Sequence, residues 1–73
     1  MEKRSLSIAG HRTSIAIEPE FWAAIEVMAA AADQPVAALI RTIDEQRTTD
    51  NLSSAVRLAV LQWYQRRMPS SAP

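Results

Sequence analysis

At Pro19 the apolar residues of this chain change their period from two to about three and a half, and that change decides what the chain can fold into. From Arg12 to Glu18 the residues alternate, with Thr13, Ile15 and Ile17 on one face of a strand and Arg12, Ser14 and Ala16 on the other. Pro19 presets a helical φ and needs no amide partner, and Glu18 and Glu20 suit the positive end of a helix dipole. A helix is therefore expected from Pro19, carrying Phe21, Trp22, Ile25, Met28, Ala29 and Ala32 at helical spacing and ending near Asp33 and Gln34. A second is expected from Pro35, with Val36, Leu39, Ile40 and Ile43 as its stripe and Arg47 to Asp50 as the connection beyond it. Asp50 or Asn51 can cap a third helix bearing Leu52, Val56, Ala59, Val60 and Trp63, widened by Leu61 and Tyr64, which frays near Met68. The fold class is mainly α with a short N-terminal strand.

Upstream of that strand Leu6 and Ile8 also alternate with serines, but on even positions, so something must shift the phase. Two readings remain open. In one, Gly10 and His11 form the two-residue loop of a hairpin, setting Ile8 opposite Thr13 and Leu6 opposite Ile15. In the other, residues 1–10 are an arm and Gly10 a bend. Residues 11–67 form the domain, and residues 68–73, proline and serine with little to bury, are expected to be a disordered tail. No internal repeat is apparent.

Seventy-three residues suffice for one small domain, which alone leaves much of its apolar surface wet. With no cysteine and one histidine, His11, disulfides and Cys/His zinc sites are excluded. Catalysis is not expected either, because a general base needs a positioned partner and no nucleophile elbow is present. His11 reads as a hydrogen-bonding or pH-responsive residue at a strand start, and no cofactor or metal is implied. No apolar run approaches the ~20 residues of a membrane helix, and Met1 to Leu6 lack the apolar core of a signal peptide, so the expected location is the cytoplasm.

Net charge is zero, but its distribution is uneven. Lys3, Arg4 and Arg12 against Glu2 make residues 1–17 net +2, residues 18–50 are −5, and Arg57, Arg66 and Arg67 make residues 51–73 +3. The ends are basic and the middle acidic.

A lone strand leaves its amides and carbonyls without partners, and the simplest partner is the same strand of a second copy, antiparallel about a two-fold axis. Such a homodimeric ribbon would turn Ile15 and Ile17 onto the helices and Arg12, Ser14 and Ala16 outward. A two-stranded ribbon fits the DNA major groove, where arginine binds guanine bidentately.

The strand "RTSIAIE", the proline-started helix "PEFWAAIEVMAAAA" and the following "DQPVAALI" resemble the ribbon-helix-helix family of DNA-binding proteins, which includes the Arc and methionine repressors. More narrowly, "RSLSIAGHRTSIAIEPEFW" with "NLSSAVRLAVLQWY" is similar to a short bacterial subfamily with an added third helix. The resemblance implies a homodimer on double-stranded DNA that regulates transcription, with an intermolecular antiparallel ribbon and an extra C-terminal helix. It implies base reading by Arg12, Ser14 and Ala16, though Ala16 can only touch a thymine methyl. Where the family often has a serine or threonine at a phosphate-binding helix start, this chain has Pro35, and Asn51, Ser53 and Ser54 at the start of the third helix can substitute; a second register is also open, in which "NLSSAVRLAV" is the family's second helix and residues 35–46 are an insertion. Lys3, Arg4 and His11 are further phosphate candidates. The expected core and dimer contacts are Ile15, Ile17, Trp22, Ile25, Leu39, Ile40, Ile43, Val56, Val60 and Trp63. The alternative is a protein interaction module or antitoxin-like dimer with weak DNA binding, which the zero net charge, Ala16 and Pro35 favour.

Overall fold

The chain forms two strands and then three helices: β1 (Glu2–Ile8), β2 (His11–Ile17), α1 (Pro19–Ala31), α2 (Val36–Gln46) and α3 (Leu52–Arg67). This is a computed structural model describing residues 1–67, and the tail expected over residues 68–73 lies outside them.

Of the two readings of the N-terminus, the hairpin forms. Its loop is Ala9–Gly10 and not Gly10–His11: Ala9 has φ 52° and Gly10 φ 82°, the pair of positive values a type I′ turn requires. Ile8 therefore faces His11, Leu6 faces Thr13, Arg4 faces Ile15 and Glu2 faces Ile17. That is two positions from the expected register, and a shift of two keeps every side chain on its expected face. The observed register pairs β1 as far as Glu2, whose carbonyl then accepts the indole N–H of Trp22 at 2.8 Å.

β1 and β2 of one chain thus pair with each other, and the far edge of β2 is left open to a further strand. β2 already has an antiparallel neighbour. The pair adjoining a two-residue loop exchanges both hydrogen bonds, so on β2 the backbone groups of Arg12, Ser14 and Ala16 face the open edge. One of them is used: the Ser53 hydroxyl donates to the Ala16 carbonyl at 3.4 Å.

The helices cover one face of this hairpin. α1 starts at Pro19, where Phe21 and Trp22 donate their amides to the Glu18 carbonyl at 2.9 and 3.2 Å. It stops in a Schellman motif: Asp33, at φ 56°, donates to Ala30 and Gln34 donates to Ala29. α2 follows Pro35, and beyond its end Arg47 pairs with Asp44 at 2.8 Å and donates to the carbonyls of Thr49 and Asp50, which shapes the connection. At the start of α3, Asn51 Oδ1 accepts the Ser54 amide at 3.2 Å, an N-cap.

Between the hairpin and the helices lies a single core. Of the residues expected there, Ile15, Ile17, Trp22, Ile25, Ile40, Ile43, Val56 and Val60 are buried, joined by Ile8, Met28, Ala29 and Ala55. Leu39 and Trp63 are only partly buried and pack against its margin. Trp22, with no exposed surface, sits at the centre, held by its indole bond to β1.

Candidate nucleic-acid interface on the hairpin

Strand alternation gives the hairpin a second face, turned away from the helices. Lys3, Ser5 and Ser7 from β1 and Arg12, Ser14 and Ala16 from β2 are all exposed there. Register sets them in directly opposed pairs, Lys3 with Ala16, Ser5 with Ser14 and Ser7 with Arg12. At such non-hydrogen-bonded pairs the side chains stand close, with Cα atoms about 4.5 Å apart, and the Ser5 and Ser14 hydroxyls meet at 3.2 Å. The face carries two cations, three hydroxyls and no carboxylate. Among the described residues neither Lys3 nor Arg12 enters an ion pair.

Four of the seven acidic residues of the middle segment are engaged in ion pairs away from this face. Glu18 takes Arg57 through both oxygens at 3.0 and 3.2 Å, and this contact, aided by the backbone, holds its carboxyl below the ordinary value. Glu26 pairs with Arg4, Asp44 with Arg47 and Glu45 with Arg41. Such exposed pairs neutralise the helical body more than they stabilise it.

The structure separates the other phosphate candidates. Arg4 shares a strand with Lys3 but turns to the helix side, where it pairs with Glu2 and Glu26 and lies 4.6 Å from the Trp22 ring centre. That is an orientation for packing, away from the outer face. His11 is exposed at the loop end of β2, opposite Ile8. Asn51, Ser53 and Ser54 gather at the α3 N-terminus, which the Ser53 bond to Ala16 fastens beside β2. The leading amides of that helix, Leu52 and Ser53, have no intrahelical acceptor, and the helix start lies at the open edge of β2.

Sequence reading missed Ser5 and Ser7. The usable signal was their alternation with Leu6 and Ile8, but their side could be assigned only once the hairpin's register was known. Of the C-terminal arginines, Arg57 is tied to Glu18, and Arg67 lies 4.1 Å from the Trp63 ring centre.

A family model described as a ribbon-helix-helix domain matches residues 1–64. No curated protein and no solved structure matches the chain.

Proposed function

The chain belongs to the ribbon-helix-helix family, whose members are in general DNA-binding transcription regulators that form dimers and are not enzymes. From that premise we propose that it is a sequence-specific DNA-binding protein, a cytoplasmic bacterial transcription regulator that inserts the outer face of its hairpin into the major groove. One observation carries this reading: the hairpin face away from the core holds Lys3, Arg12 and three serine hydroxyls with no carboxylate. The major groove admits a two-stranded ribbon and presents guanine N7 and O6 to arginine or lysine. Arg12 and Ser14 read bases and Ala16 abuts a thymine methyl, while the α3 N-terminus at Asn51, Ser53 and Ser54, with His11, meets the adjoining backbone.

The test is selection of bound duplexes from a random library by the purified protein, followed by titration of the enriched sequence. Arg12→Ala is expected to cost roughly 1 to 3 kcal/mol of base discrimination, and affinity should fall steeply with added salt. An unchanged preference in the variant would remove Arg12 from base reading.

A second reading, a protein interaction module, is favoured by the exposed apolar residues Leu58, Leu61 and Tyr64 along α3. A second copy of the chain is the first occupant to test there, because members of the family in general form dimers. The selection experiment separates the two readings, since an interaction module enriches no duplex.

A further inference from the structure

The ladder that leaves β2 an open edge leaves β1 one as well. By the same parity the main-chain amides of Lys3, Ser5 and Ser7 point out from the far edge of β1, while their side chains stand on the outer face. Each of these three residues thus offers two donors, an amide at the edge and an ammonium or hydroxyl on the face. The Ser5 and Ser14 hydroxyls share one proton at 3.2 Å, which leaves the other free to donate. No carboxylate meets these donors among the described residues, and Glu2 and Glu26 are taken by Arg4 on the helix side.

Resting on the DNA-binding function proposed above, we infer that β1 is a phosphate-binding strand: Lys3, Ser5 and Ser7 hold the sugar-phosphate backbone along one wall of the groove whose bases β2 reads. Widths decide between the wall and the bases. Ser53 takes only the Ala16 carbonyl at the open edge of β2, so the backbone groups of Arg12 and Ser14 remain there as a template for a further strand. Members of the family in general form dimers, which makes a second copy the source of that strand. Two strands about 4.8 Å apart in the middle of the groove each lie about 2.4 Å from its midline, and β1, one spacing further out, lies about 7 Å from it. The half-width of the groove is about 6 Å, so β1 falls over the phosphates.

The residue types agree with those places. Arg12, whose planar fork suits guanine O6 and N7, is on β2. β1 instead carries a lysine, a compact point charge, and two short hydroxyls, which bind phosphate oxygens without regard to sequence. The amides at its outer edge are main-chain donors of the same kind. On this division β1 sets affinity and salt dependence, and β2 sets sequence preference.

Selection from a random duplex library, followed by titration across salt concentrations, tests this with the full chain. Lys3→Ala is expected to select the wild-type sequence but to bind every duplex about tenfold more weakly at about 0.1 M salt, with the slope of log affinity against log salt shallower by about 1 for each chain bound. Lys3→Arg keeps the charge and should restore both. Ser5→Ala with Ser7→Ala removes uncharged donors, so affinity should fall for every duplex while the slope is kept. Relaxed preference at a base position in the Lys3→Ala or the serine variant would place β1 over the bases, and wild-type affinity in both would place it off the DNA. Either result overturns the inference and leaves the DNA-binding function standing. If the wild-type protein enriches no duplex, the DNA-binding function falls and takes the inference with it.

Discussion

At the scale of single residues, surroundings decide what a charge is for. Lys3 and Arg4 are neighbours in sequence, yet the pleat sends one outward and the other onto Trp22 between two carboxylates. Ala9 illustrates a backbone cost: it holds φ 52° in the hairpin loop, a region that disfavours a Cβ, followed by Gly10 at φ 82°. Ala9→Asn creates the Asn-Gly pair preferred in type I′ turns and should stabilise the fold by about 1 kcal/mol, read as a thermal midpoint higher by roughly 4 to 8 °C. Glu18 supplies a pH dependence. Because Arg57 lowers its folded value below the ordinary 4.5, its contribution is complete above that value and is lost as pH falls through the lowered one. Urea midpoints measured from pH 7 to pH 3 should therefore fall less steeply for Glu18→Gln than for the wild type. Parallel curves would show that the pair plays no part in acid sensitivity.

At the scale of elements, ends are specified more sharply than interiors. Pro19 starts α1 and a Schellman motif closes it, but the left-handed position of that motif is filled by Asp33, where glycine carries no Cβ penalty. The aspartate also places a negative charge at the negative end of the helix dipole. Asp33→Gly is expected to raise the urea midpoint by an amount equivalent to about 1 kcal/mol with an unchanged denaturant slope. α3 is bound at two points near its N-terminus, Ser53 to Ala16 at the edge of β2 and Arg57 to Glu18 just beyond that strand, so its start is held at the hairpin edge. Pro35 offers no such anchor at the start of α2, where no side-chain cap forms.

For the whole molecule, folding and association can be probed at different residues. Ile15, 2% exposed, faces the core, and Ile15→Asp would bury a charge without a partner, so loss of cooperative unfolding and of the helical circular dichroism signal is expected. Ser14→Asp, on the exposed face of the same strand, should leave the fold intact and abolish DNA binding by placing a carboxylate against phosphates. Sedimentation of the wild type and of Leu61→Glu then tests assembly. A dimer lost in the variant with its thermal midpoint kept would place the contact between copies on the exposed residues of α3.

That β2 is a strand, which residues form helices, where α1 begins and which side of each of these elements is apolar were legible in the sequence, because periodicity and cap chemistry act over a few neighbouring residues. The outward placement of Arg12, Ser14 and Ala16 followed from that alternation alone. The pairing of β1 with β2, the loop at Ala9–Gly10 and the inward turn of Arg4 were not. Each depends on contacts between residues far apart in the chain, such as Glu2 with Trp22, which select one register among those that keep the same faces. A register is a choice between pairings of nearly equal local merit, and packing against the helices makes it.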